Sequence, residues 1–526
     1  MGRSTGTSMT INDRTQKLVN KFLPGRSEGF FRFDGFKIGV AIDPVLAETF
    51  NGQVMMFTCL NLLSRFTNRI LLGRIPEVPK LAELRGLQGN LKTRLLGNVA
   101  QINPDIKIDC LGKEHLIDAL ITIGKTEYHS SFKIAINSDG WIAKLEEGVD
   151  ASLDYVSRNA NPIGAQVASC FASAEVFKHL LRSMGSTSYA VQQPVGTISF
   201  SALDYSIDTG TSQNPELPSE LNLDETVLVG AGAVGSSFVN TLGYLNNVSG
   251  RLIILDFDVV DVTNLNRYII AGIRDVGKAK VSVATDFLAG SGIEAVPVHK
   301  SYESYVKEDR PDKTFDTVVS TVDDNAARQH MQSDLPRQIL HGATHEQSCV
   351  VSRHDFLHDA CLGCLFYMKS MTYAERIYIE TGIPLDEVEK TLSLNGSFND
   401  KHLTIMMRER GINPERFSKF IGQPFKDVYA KEICGVFGFN VGTKAEAATV
   451  SFVSALPGIL LAGEIIKDRI PELRKYRLNN YLQMSLFSLK ANRPIIRKKD
   501  SRCSCLCYEQ IMIDRYKQKW LRSSGL

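Results

Sequence analysis

The sequence predicts an α/β protein that contains two diverged copies of one domain. Three observations indicate this: a strand, turn, helix and strand follow one another at 226–255, another strand lies at 316–320, and residues 161–178 resemble residues 454–467. Strands that alternate with helices form mostly parallel sheets covered on both faces. The chain has 526 residues, and at roughly 150 residues per domain this leaves room for two or three domains.

The βαβ unit is the clearest set of elements. Thr226–Val229 is predicted as a buried strand, Gly230–Gly235 as a turn, Ser236–Tyr244 as a helix and Arg251–Leu255 as a second strand. Asp316–Ser320 is a further apolar run of strand length. These elements predict one parallel sheet in the C-terminal half.

The N-terminal half has less regular patterning. Asn12–Phe22 is predicted as a helix, Phe36–Ile42 as a strand and Gln53–Leu72 as an apolar helix. No glycine-rich turn separates the last two segments. This half therefore lacks a sequence that is typical of phosphate binding.

A polar stretch and an internal repeat define the domain organisation. Ser206–Leu223 contains two prolines and no apolar periodicity, so we predict a linker there and two domains, 1–220 and 221–526. Segments 161–178 and 454–467 both contain a proline and small residues, and both end on Glu, two apolar residues and Lys. This similarity indicates a duplicated domain.

Composition excludes several classes of protein. Lys and Arg number 60 against 58 for Asp and Glu, and 43% of residues are hydrophobic. A disordered chain and a strongly basic nucleic-acid surface both lose support. The most apolar segment, 450–466, is interrupted by Glu464, and Met1–Asp13 has no apolar core. Ten cysteines are too few for a disulfide scaffold, so we expect a cytoplasmic protein with no nucleic-acid or membrane partner.

The glycine turn is the first candidate binding site. Gly230, Gly232 and Gly235 follow a strand and open a helix, where backbone N–H groups can approach a phosphate. Asp256 lies 21 residues after the last glycine, at the end of the next strand. A carboxylate there can bind ribose hydroxyls. Alone, this pair favours NAD.

Charged residues downstream favour a triphosphate instead. Asn264, Arg267 and Lys280 follow the aspartate, and Asp324 follows the later strand. Cations neutralise a developing pyrophosphate, and Mg²⁺ prefers oxygen ligands. A dinucleotide requires neither, so the pattern predicts ATP with Mg²⁺.

The cysteines predict a metal site. Cys361 and Cys364 form a C-x-x-C pair, and Cys503, Cys505 and Cys507 cluster near the C-terminus. Two thiolates from each group give a closed Cys₄ structural zinc site. Three cysteines compete for two places, and the sequence leaves open which two bind. The core is the expected place for Cys59, Cys110, Cys170 and Cys349.

The runs GAGAVG, LDFDVVDVTNLNR, GKAK and TVDDN closely resemble the adenylyltransferases of the ThiF/MoeB and ubiquitin-activating superfamily, over residues 222–526. The resemblance implies two Rossmann-like adenylation-type domains, of which the N-terminal one is inactive because it lacks the glycine turn and the aspartate. It implies that Asp256 is the ribose ligand and that Asp324 is the Mg²⁺ ligand. It also implies three phosphate-facing residues, Asn264, Arg267 and Lys280. The implied reaction uses ATP to convert the C-terminal carboxylate of a ubiquitin-like β-grasp protein into an acyl-adenylate.

Two further residues follow from the same resemblance. In ubiquitin-activating relatives a cysteine of the crossover segment, here 365–440, takes the carboxyl group from AMP as a thioester, which implies Cys434; a spare cysteine of 503–507 is the alternative. Sulfur-carrier relatives complete each ATP site with an arginine from the partner's N-terminus. In an internal pseudo-dimer, Arg14 on the predicted first helix is the corresponding candidate.

The two-copy form without a fused conjugating-enzyme domain resembles the activating enzymes of bacterial ubiquitin-like conjugation operons of the Bil type, including antiphage ones. This implies a separate conjugating enzyme as a partner, and a homodimer is possible. A sulfur-carrier or peptide adenylyltransferase, which forms no enzyme thioester, is the alternative. Arg267, Lys280 and Asp324 disfavour an NAD-dependent dehydrogenase, and the intact nucleotide set disfavours a non-catalytic scaffold.

Overall fold

The chain forms two compact units, each with its own core. A computed structural model describes residues 13–23, 33–81, 84, 88–112, 116–208, 213–246, 248–345, 347–366, 374, 377–378, 381–410, 414–429, 449–499 and 506–521. The first unit comprises Met1–Phe366 and Ala448–Leu526, and the second comprises Tyr367–Ala447. The first unit contains two β-sheets, and the described part of the second is helical.

The strands are β1 (Ile38–Ile42), β2 (Arg69–Leu72), β3 (Lys107–Cys110), β4 (Ala119–Ile123), β5 (Lys133–Asp139), β6 (Ile142–Glu147), β7 (Thr197–Ser201), β8 (Leu221–Val229), β9 (Val248–Leu255), β10 (Gly292–Val298), β11 (Thr317–Ser320), β12 (Gln338–His345), β13 (Ser348–His354), β14 (Tyr481–Ser485) and β15 (Arg493–Ile495). The helices are α1 (Asp13–Phe22), α2 (Phe50–Leu63), α3 (Leu91–Ile102), α4 (Ile163–Ser183), α5 (Tyr189–Gln192), α6 (Ala233–Gly243), α7 (Lys280–Leu288), α8 (Tyr302–Glu308), α9 (Asn325–Ser333), α10 (Leu362–Leu365), α11 (Leu385–Ser393), α12 (Asp400–Arg410), α13 (Pro414–Phe417), α14 (Phe425–Val428), α15 (Ser451–Arg469) and α16 (Gln510–Trp520). None of these helices combines the length and the apolar character that crossing a membrane requires.

The first sheet has the strand order β3-β2-β1-β4-β5-β6-β7. The first five strands in this order, from β3 to β5, run parallel to one another. Strand β6 is antiparallel to β5, and β7 is antiparallel to β6. The central strands β1 and β4 are buried at every residue. Helices α2 and α4 pack on one face, and on the other face Leu111 and Tyr128 form an apolar cluster with strand residues that include Ala41 and Leu120. The continuous apolar sequences of β1 and β4, IGVAI and ALITI, are typical of strands buried on both faces.

The second sheet has the order β10-β9-β8-β11-β12-β13-β14-β15. It repeats the first sheet strand for strand, with β13 and β14 antiparallel in the places of β6 and β7, and it adds β15. Strands β9 and β11 flank β8 on opposite sides. In such a sheet, ligands bind beyond the carboxyl ends of the strands at the point where the order reverses.

Helices α4 and α15 occupy equivalent places after β6 and β13, and they pack against each other. Each contains a buried ion pair between residues three apart. Lys178 Nζ lies 2.9 Å from Glu175 Oε1, and Lys467 pairs with Glu464. The repeated Glu and Lys of the sequence therefore form the same contact in both copies.

The connection before this helix differs greatly in length between the copies. It spans 148–162 in the first copy and 355–450 in the second. The longer connection contains the C-x-x-C pair and the whole helical unit. In that unit, aromatic side chains of Phe398, Phe417 and Phe425 form a separate core.

Three sequence predictions were wrong in detail. The predicted helix Gln53–Leu72 ends at Leu63, and Arg69–Leu72 forms β2, because an apolar run of this length does not by itself distinguish a helix from a buried strand. Cys110 is exposed rather than in the core because β3 is an edge strand. Leu221–Leu223, assigned to the linker, begins β8.

The prolines of the repeat are also not equivalent. Pro162 is the residue before α4, whereas Pro457 lies inside α15. The core position predicted for Cys59, Cys170 and Cys349 is confirmed.

Candidate active site at the carboxyl edge of the second sheet

The glycine turn connects β8 to α6. Gly230 has a φ of +95°, a conformation that favours glycine. A Cβ on Gly235 would lie 2.1 Å from the Gly230 carbonyl oxygen, so the turn packs too closely for a side chain there. A Cβ on Gly232 would meet no atom within 4 Å. Open space therefore lies beside the N-terminus of α6, where unpaired N–H groups can bind a phosphate.

Asp256 links the end of β9 to this turn. Its Oδ2 accepts a hydrogen bond from the Ala231 N–H at 2.7 Å, and its Oδ1 accepts one from the Asp258 N–H at 2.9 Å. Burial raises the pKa of the Asp256 carboxyl group, and the nearby positive charge of Lys280 opposes that shift. The carboxylate is thus fixed at the strand end, as a ribose ligand would be.

Lys280 is the first residue of α7, and its side chain is 12% exposed. Its Nζ lies 2.7 Å from Asp258 Oδ2. Lys280 was predicted from the sequence and Asp258 was not, although Asp258 is the second aspartate of the DFD run. The structure brings Asp256, Asp258 and Lys280 together beside the glycine turn.

Asn264 and Arg267 lie on the loop between β9 and α7. Asn264 Oδ1 accepts a hydrogen bond from the Asp261 N–H at 3.1 Å, which closes a short turn. Arg267 Nη1 donates to Asn266 Oδ1 at 2.9 Å. The buried Asn266 amide in turn donates to the Thr449 carbonyl oxygen at 3.1 Å. The amide of Asn266, which the sequence analysis missed, therefore orients the Arg267 guanidinium.

Asp324 begins α9 at the end of β11. Its Oδ1 accepts a hydrogen bond from the Ala327 N–H at 2.7 Å, so the side chain is the N-cap of the helix. Asp324 and its neighbour Asp323 are both exposed. Two carboxylates therefore face solvent at this strand end, and oxygen ligands of this kind suit Mg²⁺.

A buried arginine supports this loop. Arg328 donates to the Val322 carbonyl oxygen at 2.7 Å and to Asn325 Oδ1 at 2.5 Å, on either side of the two aspartates. Its guanidinium carbon lies 4.2 Å from the centroid of the Phe366 ring. Burial lowers the pKa of Arg328 to about 10. This role could not be predicted from the sequence, because an arginine in a helix is ordinarily a surface residue.

Helix α1 approaches the same loop from the N-terminus. Thr15 is buried, and its Oγ1 accepts a hydrogen bond from Asn266 Nδ2 at 3.5 Å. Arg14 precedes Thr15 on this helix, and its side chain lies outside the described residues. The backbone of α1 at this point is therefore close to the residue that orients Arg267.

Three cysteines converge elsewhere in the first unit. The Cys361 and Cys364 sulfurs are 3.9 Å apart, and the Cys364 and Cys507 sulfurs are 3.5 Å apart. All three sulfur atoms lie within 4.8 Å of one another. Soft thiolate ligands at one point fit a tetrahedral metal site. Cys503 and Cys505, like Cys434, lie outside the described residues.

The fold and the site define a class of protein. A parallel sheet, a glycine turn at a helix N-terminus and an acidic residue after the next strand form a Rossmann-like nucleotide-binding domain. The same unit of the chain also contains a first sheet with the matching strand order. Residues 217–506 match the ThiF family, and residues 37–198 match the BilD N-terminal domain. The chain belongs to the ThiF family of adenylyltransferases.

Three relatives extend this comparison. The uncharacterized protein y4jF of Sinorhizobium fredii is 29% identical over 495 residues, which cover 92% of this chain and 91% of that protein. A sulfur carrier protein adenylyltransferase of Thermus thermophilus is 31% identical over 166 residues, 29% of this chain and 59% of that protein. The NEDD8-activating enzyme E1 catalytic subunit of Dictyostelium discoideum is 32% identical over 140 residues, 26% of this chain and 30% of that protein. The chain spans less than two thirds of the length of the last two relatives.

Proposed function

We propose that this chain uses ATP to activate the C-terminal carboxylate of a ubiquitin-like β-grasp protein. The observation that carries the proposal is the open glycine turn next to Asp256, at the carboxyl ends of the paired strands β8 and β11. The similarity of residues 37–198 to the BilD N-terminal domain and the kinship with a NEDD8-activating subunit support a ubiquitin-like substrate. The kinship with a sulfur carrier adenylyltransferase supports the alternative, an enzyme that forms no thioester.

The first step requires positioning and charge stabilisation rather than a base. A carboxylate oxygen of the partner attacks the α-phosphorus of ATP, an O–P bond forms, and the bond to the departing pyrophosphate breaks. No proton moves, because the carboxylate is already ionised. Arg267 and Lys280 neutralise the phosphate charge, and Asp324 would hold a Mg²⁺ ion, which would supply further positive charge for the developing pyrophosphate. Arg14 completes the site from the first copy.

The second step transfers the acyl group to Cys434. The thiol gives its proton to solvent water, and the thiolate sulfur attacks the acyl carbon. A C–S bond forms, the C–O bond to AMP breaks, and the resulting thioester passes to a separate conjugating enzyme. The support is positional: Cys434 belongs to connection 355–450, whose counterpart in the first copy, 148–162, is short. A ubiquitin-like protein and a separate conjugating enzyme, as the two partners, suggest that the chain is encoded in a Bil-type antiphage operon.

We assign a structural zinc ion to the cysteine cluster. Cys361, Cys364 and Cys507 supply three thiolates, and either Cys503 or Cys505 supplies the fourth. This site joins the C-terminal segment to the region before the helical unit.

Release of pyrophosphate from ATP tests the first step. The substrate is a purified ubiquitin-like β-grasp protein with a free C-terminal carboxylate. Arg267→Ala and Lys280→Ala should abolish release, because each removes a cation from the site. Lys278→Ala is the matched control, since Lys278 is exposed and pairs with Asp275. Equal activity of all three variants would refute the assigned roles.

A non-reducing gel tests the second step. The chain and the β-grasp protein should form a reductant-sensitive adduct with ATP, and Cys434→Ala should lose the adduct while still releasing pyrophosphate. An adduct that persists in Cys434→Ala places the nucleophile in the 503–507 cluster. Pyrophosphate release without any adduct in the wild-type protein favours the sulfur-carrier alternative.

A further inference from the structure

Arg65 is a buried cation in the copy that lacks the glycine turn. It follows α2 and is 0% exposed. Burial lowers the pKa of its guanidinium to about 9. No Asp or Glu among the described residues forms an ion pair with it. A buried charge without a counter-ion is costly unless hydrogen bonds compensate it, so its contacts need an explanation.

Those contacts go to the loop that carries Arg267. Arg65 Nη1 donates to the Leu265 carbonyl oxygen at 2.5 Å, and Nη2 donates to those of Ile269 and Ala271 at 3.0 and 3.1 Å. Nε donates to Asn61 Oδ1 at 2.8 Å. Four of the five N–H groups of a guanidinium are thus in use, and three of them hold one loop of the other copy.

Asn61, in the last turn of α2, adds a second contact to the same loop. Its Nδ2 donates to the Ile269 carbonyl oxygen at 2.9 Å. On the other side of the loop, Asn266 is tied to Thr449. Arg267 lies between the anchored positions Leu265 and Ile269, so its backbone is fixed from both directions.

We infer that Arg65 is a positioning residue, which fixes loop 265–271 so that Arg267 faces the phosphates of ATP. The inference rests on the proposed ATP site and extends it, because it gives the first copy a role in the reaction of the second. Arg65 does not itself bind the nucleotide, since it is fully buried and four of its five N–H groups donate to oxygens of the protein. A small displacement of a phosphate-binding cation is enough to weaken binding and slow transfer.

The experiment uses the full-length chain and two measurements. The first is the affinity for MgATP by calorimetry, and the second is amide hydrogen exchange of peptides spanning 262–276. The variants are Arg65→Met, which removes the charge, Arg65→Lys, which keeps the charge but not the fork of donors, and Asn61→Ala. Cys59→Ala is the control because Cys59 is buried on α2, the helix that carries Asn61, and its thiol hydrogen-bonds Ser169.

Arg65→Met should weaken MgATP binding by about tenfold or more, the effect of losing one charge-assisted hydrogen bond. Exchange of 262–276 should accelerate, Arg65→Lys should recover part of both effects, and Asn61→Ala should show smaller changes of the same sign. Cys59→Ala should change neither measurement. Unchanged affinity and exchange in Arg65→Met would overturn the inference.

A double-mutant cycle shows whether Arg65 acts through Arg267. In an Arg267→Ala background, Arg65→Met should have little further effect on MgATP affinity. Full additivity would contradict positioning. If the wild-type chain fails to bind MgATP, the proposed function fails, while the exchange measurement still decides whether Arg65 holds the loop.

Discussion

Gly232 and Gly235 are three residues apart, yet the structure gives them different roles. Gly235→Ala should lower the free energy of unfolding by about 1–3 kcal/mol, because its Cβ would overlap the Gly230 carbonyl oxygen. Gly232→Ala should unfold at the wild-type temperature and lose MgATP binding, because its methyl group enters the space left for phosphate. Thermal unfolding and calorimetry check both results. Wild-type ATP affinity in Gly232→Ala would place the phosphates elsewhere.

Asp324 has a structural contact as well as its proposed metal role, and two substitutions separate them. Asp324→Asn keeps an oxygen for the helix cap, so the unfolding temperature should stay constant while Mg²⁺-dependent pyrophosphate release falls by about tenfold or more. Asp324→Ala should also lose about 1 kcal/mol of stability with the cap. Loss of release in Asp323→Asn but not in Asp324→Asn would move the metal ligand to Asp323.

Among individual residues, the sequence predicted those that belong to a short local motif. The spacing of the glycines and Asp256 follows from one βαβ unit, and the structure brings these residues together. Arg65 could not be predicted, because its partners lie about 200 residues away along the chain and its own surroundings form no motif. Only the packing of the two copies reveals what it contacts.

The equivalent helices α4 and α15 carry a buried ion pair, and the pair in α4 predicts a pH effect. Burial raises the pKa of Glu175 from 4.5 to about 7. The folded chain therefore binds a proton that the unfolded chain has released, so this residue lowers stability as the pH rises through that window. Glu175→Gln should make the unfolding temperature depend less on pH between 4.5 and 7.

Thermal unfolding followed by circular dichroism over that pH range is the measurement. Glu220→Gln, at an exposed position, is the matched control and should keep the wild-type slope. A Glu175→Gln slope equal to that of the wild type would show that Glu175 does not titrate in this range.

The boundaries of helices and strands were predicted where the sequence contains a turn motif, and they were missed where it contains none. The glycine turn correctly separates β8 from α6. The apolar run after Gln53 has no such signal, and the strand β2 emerges only because Ile70 pairs with Ile38 of β1. That pairing is long-range, so local patterning cannot reveal it.

The first unit holds two sheets with matching strand order, and the second sheet adds β15 at one edge. The sequence indicated the duplication through one shared helix, and that helix retains its ion pair in both copies. The strand order of the first sheet was not predictable, because this copy has lost the motifs that mark the second. Its retention is explained if, as inferred from Arg65, it supports the active site.

The cysteine cluster joins distant parts of the first unit, so its removal should affect the whole unit. Purified protein should contain about one zinc ion per chain, and Cys364→Ser should lose it and unfold at a lower temperature. Cys110→Ser is the control, because Cys110 is exposed on an edge strand. Elemental analysis and thermal unfolding give the result. Wild-type protein purified without chelator and free of zinc would refute the assignment.

Exchange of labelled pyrophosphate into ATP tests the central claim most directly, because formation of an acyl-adenylate is reversible and requires the partner's carboxylate. The wild-type chain should catalyse exchange with its ubiquitin-like β-grasp partner. It should catalyse none alone, and none with the same β-grasp protein carrying a C-terminal amide. Exchange that is independent of the partner, or binding of NADH without binding of ATP, would contradict the account.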